Sequence, residues 1–445
     1  MWETLRATLY HNRRDIIMLG VLALISMAIF APIMTRWQVM GDYTTHNQLA
    51  LQATDEPARF FGNTPHFLYH VAVSLAYQLG GRVDVNNAAV QVLVICFILT
   101  VGVIYWQLRA ANRLPGGLPI VLISGVLSLA LAIIMPINFF TPENLYFGYL
   151  VPHVYHNPTM IIMKPLALVL FFLTLPIFFN SRPLSRWWII PLTLLTVSSM
   201  FAKPSFVIAF VPTLGLICFV LIVRYIGEWA QVLRQPMLIV RAFAYHDPNS
   251  TETLPRFLQP CYINWPVLLG GIVLPTFIAL AYQMMTWTSS GGIGIDPLRV
   301  LFEWTLHYEE NADQQLLYKF GMSLAFPSLV YLLHLPHTLK HFTFNLAWAL
   351  VLVSAGYLYL LVDYTVIAAG DFGWSVQIAV LILFIVAVRF ILQHYEVIFT
   401  GGVTGRQAGV LALCTVIFAL HGVAGIHWYR MHMSQYMEEL LYIWW

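Results

Sequence analysis

The sequence predicts an all-α protein that crosses a membrane many times, and three observations carry that prediction. Of 445 residues, 59% are hydrophobic and only 9% charged, against roughly a quarter charged in soluble domains. The apolar residues gather into runs near the length a helix needs to cross the hydrocarbon. Lys and Arg fall between alternate runs, the mark of cytoplasmic loops. The same composition excludes a disordered chain and a disulfide-stapled secreted domain. With 22 Lys+Arg against 20 Asp+Glu, no basic stripe stands out for nucleic acid.

About eleven runs are expected as spans: 15–35, 87–107, 118–137, 161–179, 187–202, 205–223, 265–287, 321–336, 343–362, 374–393 and 408–425. The first lacks a small-residue cleavage site and is long enough to stay as an anchor. Arg6, Arg13 and Arg14 put the N-terminus in the cytoplasm. Arg109/Arg113 and Arg182/Arg186 mark the next cytoplasmic turns, Arg224, Arg234, Arg241 and Arg256 the main cytoplasmic loop at 224–263, and Lys340 and Arg406 the last two. On this topology 14 of the 22 bases lie inside and 14 of the 20 acids outside. The chain then reads as one integral membrane domain, 1–445, with a second outer loop at 138–160 and a mobile outer loop at 288–320. Cys96, Cys218, Cys261 and Cys414 show no ligand spacing and read as core residues.

Residues 66–80 are apolar but too short to span, and His66, His70, Ser74 and Gln78 form a polar stripe at helical spacing. If this segment crossed, Arg109 and every later basic cluster would face outward. It is therefore expected in the interface, within a long first outer loop, 36–86.

The outer segments carry the unusual residues. Asp42 follows the first span directly, where an acid has one specific use: taking a proton from a hydroxyl presented at the surface. A solvated loop acid is the plain alternative. His46 shares a helical face with Asp42, and Tyr43 lies beside it. In the second loop, His153, His156 and Asn157 precede Lys164, which is set just inside the next span. Lys164 and Lys203 read either as snorkelling cations or as ligands of a lipid phosphate. His66-x3-His70 has metal-ligand spacing, but hydrogen-bonding histidines fit it as well. The glycines at 291–294 lead to Arg299 without forming a phosphate-binding fingerprint.

An acid at the outer end of the first span, an amphipathic stretch, a Pro-aromatic-aliphatic-aromatic segment (Thr64-Pro65-His66-Phe67-Leu68-Tyr69-His70) and a Gly-Gly stop at 80–81 resemble the GT-C type polytopic glycosyltransferases. Protein O-mannosyltransferases and aminoarabinose transferases belong to that group. The resemblance is specific over residues 15–110 and topological beyond residue 160. It implies an inverting hexosyl- or pentosyltransferase of the bacterial inner membrane, acting on the extracytoplasmic face. The donor would be a polyprenyl-phosphate-sugar, and the acceptor a hydroxyl of a glycan, lipid or protein. Asp42 matches the family's first-loop acid, and Glu143 is the nearest counterpart of its second acid. A divalent metal such as Mg or Mn, and envelope-assembly partners, follow from the resemblance alone. Lys164, Lys203 and Arg299 would then meet the donor phosphate, and Tyr43, His66, His70, His153, His156 and Asn157 the substrates. A polysaccharide polymerase or ligase, or a secondary transporter, is the alternative. Internal repeats and mid-membrane ionisable groups, which a transporter would show, are not evident in the sequence.

Overall fold

A computed structural model describes residues 13–39, 42–111, 117–138, 149–180, 183–224, 262–286, 293–295, 312–363, 370–395 and 404–434. These residues are almost wholly helical. In order they form α1 (Arg13–Trp37), α2 (Asp42–Asp55), α3 (Pro57–Asn63), α4 (Leu68–Leu79), α5 (Val85–Ala111), α6 (Leu118–Leu131), α7 (Pro158–Thr174) and α8 (Ile189–Ala202). There follow α9 (Ser205–Val223), α10 (Trp265–Thr286), α11 (Ala312–Ser323), α12 (Ala325–Leu333), α13 (Phe342–Leu360), α14 (Gly370–His394) and α15 (Gly405–Met433). The departure from all-α is a three-residue antiparallel pair, β1 (Ile293–Ile295) with β2 (Leu361–Asp363), in the register Ile293 to Asp363.

Each expected run carries a helix, but not every helix is long enough to cross. Among the described residues eight are, and nine if α11 and α12, bent by 66° at their junction, form one broken span. The runs at 118–137 and 187–202 fold into helices of 14 residues each, about 21 Å long against a hydrocarbon core of about 30 Å. The chain is therefore a polytopic helical protein of the membrane-spanning type.

Helix α14 runs through the centre: 89% of its apolar window is buried, against 22% for α1 and for α15 at the periphery. Helices α1 and α5 lie antiparallel. Phe30 stacks on Phe97 with ring centroids 3.9 Å apart, and at the far end Asp15 accepts two bonds from Arg109, at 2.6 and 3.2 Å, and one from Tyr105. That ion pair puts the start of α1 beside the end of α5, so the chain between them returns to the side it left. Helix α4, with 12 residues, is too short to cross alone. Its stripe residues His70 and Ser74 are buried, while Leu75 and Leu79 are 55% and 90% exposed. His70 and Ser74 thus turn toward the protein together with Tyr69 and Val73, while Leu75, Gln78 and Leu79 face outward.

Two contacts fix α3 and α4 on the bundle. Phe67 stacks on Phe201 of α8 at 4.5 Å, and Tyr282 of α10 donates to the Phe61 carbonyl at 2.9 Å. Helix α10 holds its own neighbour closely: Leu269–Val273 form a π-helical turn, and Thr193 and Thr196 of α8 donate to the carbonyls of Gly270 and Gly271. A Cβ on Gly271 would meet the Leu192 Cβ at 2.8 Å, so the glycine is what lets the helices approach. Carbonyls displaced by a π turn need such partners where no water reaches.

Candidate functional site

Asn47 settles how α2 is placed. Its Nδ2 donates to Gln38 at 2.9 Å and to Asn86 at 2.8 Å, and its Oδ1 accepts from Tyr69 at 3.2 Å. This buried amide ties α2 to the end of α1, the start of α5 and α4 together. Asp42 thereby stands in the first turn of α2, where the helix dipole favours a negative charge.

The second wall is the segment 150–157, which runs buried into α7. Tyr43 donates to the Tyr155 carbonyl at 2.6 Å and pins this segment against α2. Asn157 then caps α7: its Oδ1 accepts from the Met160 N–H at 3.1 Å and from the Thr159 hydroxyl at 2.7 Å. With the oxygen so occupied, the amide nitrogen turns to the other side and donates to Asp42 Oδ2 at 3.2 Å. The N-cap that starts a helix therefore also orients the carboxylate.

The third wall comes from Lys203 and Trp374. Pro204 forces the residue before it out of the helical region, and Lys203 has an extended backbone, φ −165° and ψ 124°. Its ammonium sits 4.4 Å from the centre of the Trp374 ring, a cation–π contact. His156 links this pair back to Asn157, its neighbour in the chain, with its ring 5.8 Å from Trp374 and 6.0 Å from Trp37. His46, one turn after Asp42, places Nδ1 2.8 Å from His70 Nε2. Asp42, Asn157, His156, Trp374, Lys203 and His46 thus gather into one circle of residues, with Lys203 acting on both His46 and His156 through its charge. Asp42, His46, His66 and His156 keep part of their surface exposed, while Asn157, Lys203 and His70 are buried around them. The result is a polar cluster at one end of the bundle, set among aromatic rings.

The histidines here are held neutral. His46 is pushed down to about 3, by burial first and then by His66 and Lys203. His156 is pushed down to about 4 by burial and Lys203, and His70 well down by burial and by His46 and His66. Between about pH 4 and 6.5 the unfolded chain binds protons at these positions and the folded one does not, so stability falls as pH drops through that window. Purified protein should melt at a lower temperature at pH 5 than at pH 7.5. The gap should narrow in His156→Gln, and an equal gap in that variant would exclude His156 as its source.

The remaining candidates lie elsewhere. Lys164 is fully buried in α7. His153 donates its Nε2 proton to the Leu131 carbonyl at 2.8 Å, which leaves Nδ1 as acceptor for the Lys164 ammonium at 3.2 Å. Lys164 therefore neither snorkels nor joins the circle. Glu143 and Arg299 lie outside the described residues. Among the described residues no three His, Cys, Asp or Glu side chains converge as a metal site, and His46 and His70 turn their nitrogens to each other. Sequence reasoning missed Trp37 and Trp374. Nothing in the sequence around Trp374 says that its ring would carry a lysine.

Comparison with protein-family models, with curated proteins and with solved structures finds no match for this chain.

Proposed function

We propose that the protein is a GT-C-type glycosyltransferase that moves a sugar from a polyprenyl-phosphate donor to a hydroxyl acceptor at the outer face of the membrane. The supporting observation is the cluster itself: a carboxylate oriented by Asn157 and a lysine held on Trp374, linked through His156, lie at the same end of the bundle. A base and a phosphate-stabilising cation close to one another are what such a transfer requires.

In this reading Asp42 takes the acceptor's hydroxyl proton as that oxygen attacks the anomeric carbon. The bond from that carbon to the donor phosphate breaks, its electron pair leaves on the phosphate oxygen, and Lys203 offsets the charge. Attack opposite the leaving group inverts the anomeric centre. His46 and His156, held neutral, supply hydrogen bonds without competing for the phosphate charge.

The two lysines separate this reading from its simplest rival, nonspecific attraction of an anionic lipid by any cation. Lys203→Met should weaken binding of a labelled polyprenyl-phosphate-sugar roughly ten- to hundredfold, the magnitude of a hydrogen bond to a charged group. Lys164→Met, in the His153 pair, should leave it within about twofold. Unchanged donor affinity in Lys203→Met would remove its phosphate role. The transporter reading gains one observation, since Lys164 with His153 is an ionisable pair enclosed by the bundle. Uptake of a labelled solute into proteoliposomes, driven by an ion gradient and lost in Lys164→Met, would favour it.

A further inference from the structure

At the end of the bundle away from Asp42, two features meet that the transfer reading does not use. The first is an apolar groove of about 500 Å³ between α1, α5 and α7, lined among others by Leu19, Leu99, Trp106 and Phe172. Leu99 and Trp106 are 52% and 60% exposed, so the groove opens on the face that spanning helices turn to lipid. Gly102 lines it and leaves it wide, since a Cβ there would meet nothing nearer than the Leu19 Cδ2 at 3.9 Å.

The second feature is a basic patch. Gln107 lines the groove and also accepts from Arg389 Nη1 at 3.1 Å. Among the described residues no carboxylate pairs with Arg389, in contrast to Arg109, which Asp15 holds. His341 feels the Arg389 charge and bonds to Gln393. His394 packs its ring 4.9 Å from His334 and 4.8 Å from His337, and Lys340 is exposed between His337 and His341. A metal does not explain the cluster. His334 donates Nδ1–H to the Val330 carbonyl at 2.9 Å and accepts from the Tyr395 hydroxyl at 2.8 Å, which leaves it no free lone pair.

We propose that the groove and the patch form one site for an anionic glycerophospholipid of the inner leaflet, with an acyl chain between α1, α5 and α7 and its phosphate against Arg389, His341 and Lys340. The apolar half must be filled by something dissolved in the bilayer, because its rim faces lipid. The polar half has bases and no acid among the described residues, which selects a negative headgroup. Its side follows from Arg109, Lys340 and Arg389, which share the end where the chain's bases gather. The groove starts at Leu19, about 27 Å along α1 from Trp37, so this lipid is distinct from a donor bound at Lys203.

Purified full-length protein in neutral detergent would be titrated with dioleoyl-phosphatidylglycerol, dioleoyl-phosphatidylcholine, polyprenyl phosphate or inorganic phosphate, following the melting temperature. Phosphatidylglycerol should stabilise at a concentration about fivefold or more below that of phosphatidylcholine, the factor one basic side chain contributes at a headgroup. His341→Gln and Arg389→Gln should each narrow that preference. Gly102→Phe, which fills the groove, should lower the response to both glycerophospholipids, and it keeps the test open if Arg389→Gln fails to fold. Equal potency of the two glycerophospholipids would overturn the headgroup assignment. An undiminished response in Gly102→Phe would overturn the groove. Stabilisation by inorganic phosphate alone would make this a free-anion site, and stabilisation by polyprenyl phosphate that is lost in Gly102→Phe would make it a donor-tail site. None of these readouts depends on sugar transfer.

Discussion

Replacing Asp42 by Asn is expected to lower sugar transfer by about 10²- to 10⁴-fold, the range a positioned general base contributes, while folding and donor binding are retained. The substitution is close to isosteric, and the amide oxygen of an asparagine there still accepts the Asn157 Nδ2 bond that Asp42 accepts at 3.2 Å. What is lost is the ability to hold a proton. The signature is a fall in kcat with KM nearly unchanged, as for a group that acts only in the transition state. Asn157→Asp supplies the complementary test. Its carboxylate would keep the α7 cap on Met160 and Thr159 but set a second negative charge against Asp42. Two carboxylates so close raise the proton affinity of the pair, so residual transfer should shift its pH optimum upward. A general base predicts that shift and a structural aspartate does not. Full turnover in Asp42→Asn would end the assignment.

How much of this was legible in the sequence depends on which force shaped each part. The helices were readable because lipid leaves a spanning backbone no partners but its own, and every apolar run carries one. That the 66–80 segment does not span by itself was readable from its length, and the inward turn of His70 and Ser74 from spacing. The centre of the bundle was not. Helices α1 and α14 have the same mean hydropathy, yet 22% of one window is buried and 89% of the other. In a bilayer an all-apolar surface satisfies lipid and protein alike, so periodicity carries no information about which helix lies inside. The two lysines show the same limit at single-residue scale. Lys164 and Lys203 each stand at the edge of an apolar run, but α7 is enclosed on nearly every face and points its lysine at His153, whereas the proline after Lys203 breaks the helix and sends the side chain to Trp374. Asp42 was found by position, and Asn157 was expected as a substrate contact rather than as the partner that orients Asp42, because one amide serves as helix cap and as donor across 115 residues of sequence.

Gly425→Ala should have the largest effect on stability, although Gly425 lies far from the cluster in sequence and touches no candidate site residue. Helix α15 packs on the turn after α6 so closely that a Cβ at Gly425 would stand 1.9 Å from the Ile133 carbonyl oxygen and 2.7 Å from its carbon. Both are backbone atoms, so no rotamer change relieves the clash and a whole segment must move. One turn earlier His421 fixes the same contact, donating Nδ1–H to the Met135 carbonyl at 2.7 Å while its own carbonyl accepts from Met135 N–H at 3.2 Å. Small residues permit this backbone approach between helices in lipid. Overpacking with no soft neighbour is expected to cost about 3 kcal/mol or more, seen as loss of monodisperse protein or a strongly lowered melting temperature. Gly422 is the control, because a Cβ there meets nothing within 4 Å, and Gly422→Ala should behave as wild type. The displacement also has a route to the cluster. The last turn of α15 holds His432, whose ring lies 5.3 Å from Trp37 and from Tyr155, and Arg36 of α1 donates to the Met433 carbonyl at 2.7 Å. Tyr155 accepts from Tyr43, and Trp37 flanks His156, so any folded Gly425→Ala fraction should also bind donor more weakly. Donor affinity equal to wild type in that fraction would show that α15 stabilises the bundle without positioning the site.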